Sequence, residues 1–384
     1  MWRFRSSRLT VILCILLITL QFIVFSVHRT KLKRKSLELK NLNHATVSVD
    51  FLESLHNFIY KYFETYQLKF DVSKDSQNSM ELSRLLKLVP KEQSVVPVVL
   101  LMGDRVQFIE TMLKTLWESS DIQSAPIFIS RTSANESVTS LCDRYAFSQK
   151  YTLFFPFDMR ESVHPRFRLK LHWLWILFTI FRLMKSQVSA SHVLVLEDDL
   201  VVSKDFYTTG KSLLVIAHEL ETKGIVVHDI NLYNHRSIHS KYSFNEVELT
   251  PKFESCGYLI SKDTFEAIWE NLDIFLKCED GWDWSVRLFR VLGIIPRYNL
   301  QPCISRTRHI GEIGIHTNPT LYEEAQYASI ALSNGSAIHW NNYKLLKYNR
   351  SSETFVYSKC YDEKKYEGIA GPFVSQQLHP SLVL

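Results

Sequence analysis

The stretch His192–Tyr207, HVLVLEDDLVVSKDFY, decides how the chain is interpreted, because an apolar run leads directly into three acidic residues. The run HVLVL is typical of a strand buried on both faces. Glu197, Asp198 and Asp199 follow it without a break. Adjacent carboxylates repel one another unless a cation compensates them, so the pattern predicts a metal-binding site where the strand leaves the core. The alternative is a solvated acidic turn before a helix capped by Asp205.

Predicted strands and helices alternate on both sides of this stretch. Apolar runs predict strands at Val95–Met102, Ala125–Ser130, Tyr151–Phe157, His192–Asp199 and Gly224–Tyr233. Helical spacing predicts helices at Val106–Ser119 and Phe167–Ser186. This order favours an α/β fold with a mostly parallel sheet covered by helices on both faces, whose ligands bind at the carboxyl ends of the strands.

Composition limits the class of protein. The chain has 384 residues, of which 46% are hydrophobic and 22% charged, enough for a large ordered core. The net charge of +5 comes from basic residues near the N-terminus. A basic surface that binds nucleic acid is therefore not expected, and we predict no nucleic-acid partner.

The N-terminal region carries an uncharged apolar run, Leu9–Val27, long enough to cross a bilayer. A cleaved signal peptide is the alternative, but its apolar run is usually shorter and ends in small residues. We predict a cytoplasmic tail at 1–8, a transmembrane signal anchor at 9–27, a stem with an amphipathic helix at 28–94, and a catalytic domain at 95–384.

Two sets of residues predict opposite orientations of the anchor in the membrane. Basic residues after the run favour a cytosolic domain by the positive-inside rule. Glycosylation sequons at Asn135, Asn334 and Asn349 and the cysteines after the anchor favour the lumen. These cysteines are five, so one thiol is expected to be free or paired between chains. We expect a lumenal domain.

The segment Gly281–Trp284, GWDW, supplies a candidate general base. Asp283 stands between two indole side chains, which withdraw it partly from water and suit it to accept a proton. The alternative, that Asp283 serves the first turn of a helix, is compatible with that role.

The segment Cys303–Pro319 supplies candidate ligands for a metal and a phosphate. Arg306 and Arg308 are candidates for diphosphate contacts, because guanidinium groups match phosphate oxygens. His309 or His316 is a candidate metal ligand, since imidazole binds Mn²⁺. Together with the acidic triplet and a base, these residues suit transfer from a diphosphate-activated donor.

Five pieces of the sequence, in the same order, resemble the Golgi β-1,2-N-acetylglucosaminyltransferases, most closely the N-acetylglucosaminyltransferase II family. These pieces are FFPF (154–157), KLHWLW (170–175), the strand with its acidic triplet, GWDW (281–284) and SRTRHIGEIGIH (305–316). The series is specific, although each piece alone is weak.

The resemblance implies a GT-A glycosyltransferase fold in a type II Golgi membrane protein. It implies transfer of GlcNAc from UDP-GlcNAc to a mannose of an N-glycan, with inversion and with Mn²⁺ as cofactor, Mg²⁺ being the alternative. The α-1,6 arm is the favoured acceptor. A sister enzyme acting on the α-1,3 arm or on O-mannose, or a lectin-like Golgi protein without activity, stays open, as does a homo-oligomer.

The resemblance also assigns roles to the acidic triplet and its neighbours. It implies that Asp199 and His309 bind the metal. It implies that Asp198 contacts the ribose and that Glu197 contacts the donor sugar. Arg105 matches an arginine near the nucleotide.

Two further residues receive roles from the same resemblance. Asp283 is implied to be the base that takes the proton of the mannose 2-hydroxyl, and Trp282 is implied to line the sugar pocket. The chain departs from the family after its second strand, where Ser130-Arg131-Thr132 replaces an acidic residue near the uracil. This departure puts the preference for a uridine nucleotide in doubt.

Overall fold

The structure is a computed structural model that describes residues 96–155, 165–183, 190–237, 242–278, 281–311 and 343–346. The predicted anchor and stem, His316 and the sequons at Asn334 and Asn349 lie outside the described residues. Within the described residues, no helix combines the length and apolar character needed to cross a bilayer.

Strands and helices alternate along the first half of the described region, as the sequence predicts. The strands are β1 (Val98–Met102), β2 (Pro126–Arg131), β3 (Gln149–Phe154), β4 (His192–Glu197), β5 (Leu200–Val202), β6 (Ile230–Asn231), β7 (Glu246–Thr250), β8 (Tyr258–Ser261), β9 (Asn299–Pro302), β10 (Thr307–His309) and β11 (Lys344–Leu346). The α-helices are α1 (Val106–Trp117), α2 (Glu136–Arg144), α3 (Pro165–Phe178), α4 (Phe206–Thr222), α5 (Lys262–Glu270), α6 (Leu272–Lys277) and α7 (Trp282–Val291).

The described strands form one large mixed sheet and one small sheet. The large sheet has nine strands in the order β11-β7-β9-β6-β8-β4-β1-β2-β3, and the small one pairs β10 with β5. β1, β2, β3 and β4 run parallel to their neighbours in this group, whereas β8 is antiparallel to both β4 and β6. The expected α/β architecture with a largely parallel sheet is therefore confirmed.

The centre of the sheet is inaccessible to solvent because helices pack against it. Every residue of β1 is buried, and the four apolar residues of β4 that precede Glu197 are fully buried. Helix α1 turns one stripe toward the sheet, formed by Ile109, Met112, Leu113 and Leu116, all buried. Burying each such side chain stabilises the fold by about 1.5–3 kcal/mol relative to leaving it exposed.

The predicted strand at Gly224–Tyr233 is wrong over most of its length, because only Ile230–Asn231 forms ladder pairs. Side-chain bonds hold the chain just before this point. The fully buried carboxylate of Asp229 accepts the backbone N–H of Ser261 at 3.0 Å and pairs with Arg290 at 2.5 Å. An apolar run alone does not distinguish such an anchored segment from a strand.

The sheet brings the acidic triplet next to the loop that follows β1. β1 and β4 are parallel neighbours, with Leu101 opposite Glu197, so the segments after both strands leave the sheet at the same edge. The small sheet adds a third segment, because β10 pairs with β5 and sets His309 opposite Leu200. The two pairings together position the candidate site.

Gly257, immediately before β8, has a backbone φ of +90°, and a Cβ added there would lie 2.6 Å from Thr307 Cγ2. Gly224 has a similar φ of +82°, but its surroundings are open. We expect Gly257→Ala to lower the free energy of unfolding by about 2–4 kcal/mol, combining backbone strain with overlap, and Gly224→Ala by about 1 kcal/mol from strain alone. Urea unfolding of the purified chain measures both, and equal losses would contradict the predicted clash with β10.

Candidate active site

The acidic triplet stands at the end of β4, where the chain turns toward β5. Glu197 is the last residue of the strand, and Asp198 and Asp199 form the turn. Glu197 is half-buried, whereas Asp198 is 3% and Asp199 5% exposed. The sequence-based alternative of a solvated acidic turn is therefore wrong, because the two aspartates are nearly inaccessible to water.

Arg105 supplies the positive charge that these aspartates need. Arg105 immediately precedes α1. Its guanidinium donates a hydrogen bond to Asp198, and its Nη1 lies 2.7 Å from Oδ2 of Asp199. The backbone N–H of Gly103 donates to Asp198 Oδ2 at 2.9 Å. Burial alone would lower the pKa of Arg105, but the two carboxylates raise it above its ordinary value. The loop after β1 thus neutralises the end of β4.

Asp199 also contacts the small sheet. His309 Nε2 lies 3.3 Å from Asp199 Oδ2, and Ile310 donates its backbone N–H to the Asp199 carbonyl at 2.9 Å. Although burial opposes ionisation, the hydrogen bond and charge of His309 and the charge of Arg105 lower the pKa of Asp199. The sequence-predicted pair Asp199 and His309 is therefore brought together.

Two glycines allow the backbone to approach the aspartates closely. A Cβ on Gly311 would lie 2.5 Å from Asp199 Oδ2, a distance that no side chain can adopt. A Cβ on Gly103 would lie 3.2 Å from Asp198 Oδ2. The sequence suggests only that Gly311 belongs to a turned loop, and the reason for a glycine there appears in the structure.

The residues present fit a divalent ion that is completed by a ligand. Asp199 Oδ1 is buried and has no hydrogen-bond partner within the described residues, which leaves a carboxylate oxygen available next to His309. Carboxylate and imidazole are a suitable donor set for Mn²⁺. No group of three or more His, Cys, Asp or Glu side chains within the described ranges is arranged to hold a metal by itself. A metal held by Asp199 and His309 therefore needs further ligands.

A cleft of about 310 Å³ opens at this edge of the sheet. Its walls come from the end of β1 and the loop after it, from the acidic triplet, from His309 and from the first half of α3. The lining residues are Leu101, Met102, Gly103, Asp104, Arg105, Thr132, Pro165, Arg168, Leu169, His172, Glu197, Asp198, Asp199 and His309. Five sequence-predicted site residues, Arg105, Glu197, Asp198, Asp199 and His309, thus face one cleft.

Asp283 lies in the first turn of α7 and is half-buried. It does not line the cleft, but its charge acts on Glu197. Burial raises the pKa of Glu197 to about 8, and the negative charges of Asp199, Asp198 and Asp283 act in the same direction. Asp283 is therefore a neighbour of the acidic triplet, close enough for its charge to act on Glu197.

The far wall of the cleft contains a histidine whose role the sequence left unassigned. His172 of α3 is buried and its Nε2 lies 2.6 Å from Ser130 Oγ of β2. Burial and the charge of Arg168 lower the pKa of His172 to about 3, so its ring is neutral. The neutral pair Ser130–His172 occupies the strand end at which the sequence departs from the family.

Arg131, the next residue of β2, faces away from the cleft. It is 2% exposed, and its guanidinium donates to Thr139 Oγ1 and to the Asn135 carbonyl, each at 2.7 Å. It also lies over the Phe154 ring at 5.4 Å. The guanidinium of Arg131 therefore fixes α2 to β2. The question of whether this strand end suits a uridine nucleotide then concerns Ser130 and Thr132.

Trp282, which the resemblance places at the sugar pocket, does not line the cleft. It is 2% exposed, and its ring stacks on Trp173 with centroids 5.0 Å apart and planes 9° from parallel. Tyr258 and Phe253 pack against the same ring. Because an aromatic cluster encloses Trp282, it anchors the start of α7 and has little surface left for a sugar.

Arg306 and Arg308 are not placed as diphosphate ligands. Arg306 is fully buried, with Nε 2.7 Å from Asp205 Oδ2 and Nη2 donating to the Phe244 carbonyl at 2.9 Å. This corrects its predicted phosphate contact, because the guanidinium fixes β10 to α4. Arg308 neighbours His309 along β10, where side chains alternate between faces, and it does not line the cleft.

Two other predictions concern Asn135 and the cysteines. Asn135 caps α2, and its Oδ1 accepts the backbone N–H of Ser137 at 2.9 Å, while its glycosylation stays a prediction. Cys142, Cys256 and Cys303 are free thiols. Burial, followed by the charges of Glu254, Glu197, Asp199 and Asp283, raises the pKa of Cys256 well above its usual value. Cys256 thus borders the acidic cluster, and no motif in the sequence signalled it.

Comparison with known proteins supports the predicted class. Residues 162–343 match the family model of N-acetylglucosaminyltransferase II, which confirms the resemblance inferred from the sequence. No curated protein sequence matches the chain.

Solved structures with partial similarity include three proteins. The mannosyltransferase PcManGT of Pyrobaculum calidifontis, in complex with GDP-Man and Mn²⁺, has 12% identity and a TM-score of 0.33, covering 63% of each chain. TarS 1-349 of S. aureus has 12% identity and a TM-score of 0.35, covering 54% of this chain and 57% of its own. GlyE of Streptococcus pneumoniae TIGR4 has 14% identity and a TM-score of 0.28, covering 51% and 43%. The match spans less than two thirds of each of these chains.

The buried neutral His172 predicts a loss of stability in mild acid. The folded protein keeps the ring neutral down to about pH 3, whereas the unfolded chain protonates it near pH 6.5, so this contribution is complete above pH 6.5 and falls as the pH drops. Between pH 7 and pH 5 we expect wild type to lose about 2 kcal/mol more unfolding free energy than His172→Gln. Urea titrations at both pH values test this, and equal losses in the two proteins would contradict a buried neutral ring.

Proposed function

We propose that this chain, a glycosyltransferase that resembles N-acetylglucosaminyltransferase II, transfers GlcNAc from UDP-GlcNAc to a mannose of an N-glycan. The proposed reaction forms a β-1,2 linkage with inversion, favours the α-1,6 arm and requires a divalent ion, Mn²⁺ or alternatively Mg²⁺. We also propose that the chain has the GT-A fold and works in the Golgi lumen, on the evidence of its motifs, its apolar N-terminal run and its sequons.

The observation that carries the proposal is the convergence of charges on one cleft. The acidic triplet, Arg105 and His309 meet at one cleft beside the carboxyl ends of β1 and β4. Such an edge of a parallel sheet is where α/β proteins bind nucleotides. A diphosphate carries negative charge, so a site that binds it beside buried aspartates needs added cations, and the cleft offers both Arg105 and a fitting metal site.

Asp199 and His309 would hold the metal ion in this proposal. The unpartnered Asp199 Oδ1 and the nearby His309 Nε2 support the assignment. When bound, the ion supplies positive charge that stabilises the departing diphosphate. No group of three or more His, Cys, Asp or Glu side chains among the described residues could hold a metal ion, so an ion held by Asp199 and His309 would need further ligands, such as oxygens of the donor diphosphate.

Arg105 and Glu197 would orient the donor. The forked guanidinium of Arg105 matches phosphate oxygens, and it already lies at the cleft between Asp198 and Asp199. Glu197 faces the same cleft, where its carboxyl group would hydrogen-bond the donor sugar.

Asp283 would be the general base. It is half-buried at the start of α7 and close enough to the acidic triplet for its charge to influence Glu197. In the proposed reaction, its carboxylate takes the proton of the mannose 2-hydroxyl while that oxygen attacks the anomeric carbon of GlcNAc. The bond from that carbon to the diphosphate breaks, and the proton stays on Asp283.

Asp283→Asn tests the base. We expect it to keep donor affinity and to lower kcat by about 10²–10⁴-fold, because the amide occupies the same space but does not accept the proton. Release of UDP with mannose-terminated N-glycan acceptors measures the rate. Asp273→Asn is the matched control, since Asp273 lies exposed on α6 and pairs only loosely with Lys277. A rate for Asp283→Asn near that of wild type would remove Asp283 as the base.

Asp199→Asn tests the metal site. The change preserves the volume beside Gly311 but removes the charge, so we expect Mn²⁺-dependent binding of UDP to be lost. Calorimetric titration of UDP with Mn²⁺, repeated with a chelator, measures this binding. Circular dichroism of both proteins controls for folding. Binding that is unchanged in the variant and insensitive to the chelator would show that Asp199 does not hold a metal.

A further inference from the structure

Lys170 is a buried cation that the proposed chemistry does not use. Its side chain on α3 is fully buried, and Nζ donates to the backbone carbonyls of Phe275, at 3.3 Å, and Cys278. Nζ also lies 5.3 Å from the centroid of the Phe275 ring. A buried ammonium group costs several kcal/mol to desolvate, so its presence calls for a specific role.

The two carbonyls belong to the end of the helix that precedes Asp283. Phe275 lies in the last turn of α6, whose carbonyls lack partners within the helix, and Cys278 follows that turn. A cation at this position also interacts favourably with the negative end of the helix dipole. Helix α7 begins at Trp282, so Lys170 fixes the chain directly before the segment that carries the proposed base.

Helix α7 returns to the same carbonyl. Ser285 Oγ donates to Phe275 O at 3.1 Å, so this one oxygen joins α3, α6 and the first turn of α7. Asp283 stands two residues before Ser285 in that turn. A shift of the Phe275 carbonyl would therefore move the Asp283 carboxylate.

One turn further along α3, Trp173 holds the other side of this segment. Its ring stacks on Trp282 with centroids 5.0 Å apart and on Phe275 with centroids 5.7 Å apart. Its Nε1 donates to Tyr258 Oη at 2.6 Å, which ties the stack to β8. Lys170 and Trp173 thus contact residues on both sides of the α6–α7 connection.

The same helix lines the cleft. Arg168, Leu169 and His172 lie on either side of Lys170 in the first half of α3, and all three line the proposed donor site. We propose that Lys170 is a positioning residue, which sets the distance between the donor cleft and Asp283 by fixing the end of α6 to α3. This inference rests on the proposed function, because it assigns meaning to Asp283 as the base.

Lys170→Met is the main test, because methionine keeps the apolar stem and removes the donors. We expect kcat to fall about 10–100-fold while KM for UDP-GlcNAc and the affinity for UDP stay within about 2-fold, as for a misplacement of about 1 Å. Ser285→Ala, which removes the other bond to the Phe275 carbonyl, should lower kcat in the same direction but less. It also serves if Lys170→Met does not fold.

The decisive measurement combines the variants. If Lys170 acts through Asp283, then Lys170→Met or Ser285→Ala in an Asp283→Asn background lowers kcat no further than Asp283→Asn alone, under single-turnover conditions. Arg290→Lys controls for the perturbation of a different buried cation, which lies on α7 and pairs with Asp229, and it should leave kcat within about 3-fold of wild type after correction for folded protein.

The outcomes separate this inference from the proposed function. A loss caused by Lys170→Met that persists in full in the Asp283→Asn background, or a kcat equal to that of wild type, would overturn the positioning role and leave the base intact. A normal rate for Asp283→Asn alone would instead overturn the proposed base. The inference is supported if Lys170→Met lowers kcat in the wild-type background at constant donor affinity but does not lower it further in the Asp283→Asn background.

Discussion

The bridge from Arg105 to Asp198 and Asp199 is the interaction on which the site depends. Two nearly inaccessible carboxylates next to a third would repel one another strongly in a dry environment. The guanidinium makes their burial tolerable, and it reaches them because β1 and β4 are parallel neighbours. Gly103 and Gly311 let the backbone close around the pair. The cleft is therefore a consequence of charge neutralisation at one strand end.

The sequence predicts the part of the site that depends on local pattern. Apolar runs in the sequence predict strands β1 to β4, and a parallel sheet brings the residues that follow these strands together at one edge. The meeting of Arg105 with the acidic triplet follows from that geometry. The short strands β5 and β10, three residues each, carry too little pattern to be recognised, so the approach of His309 to Asp199 came from resemblance.

The surroundings of residues with distant partners could not be predicted from local pattern. Trp282 belongs to a motif beside the proposed base, yet its ring is enclosed by Trp173 and its neighbours. The sequence alone suits Arg306 to phosphate, but Asp205, about a hundred positions earlier, holds it in the core. Arg131 is buried and held against α2 by Thr139. In each case tertiary contacts decided between surface and interior, and no local spacing records them.

The pairing of β10 with β5 has a consequence for how the molecule forms during synthesis. Asp199 receives Arg105 from an early segment and His309 from a late one, and long-range contacts of this kind form slowly. Until β10 has left the ribosome and paired, Asp199 has only the arginine as a partner. A chain interrupted before β10 would therefore hold the acidic triplet without His309, so the contact between Asp199 and His309 waits until the segment that contains β10 has been made.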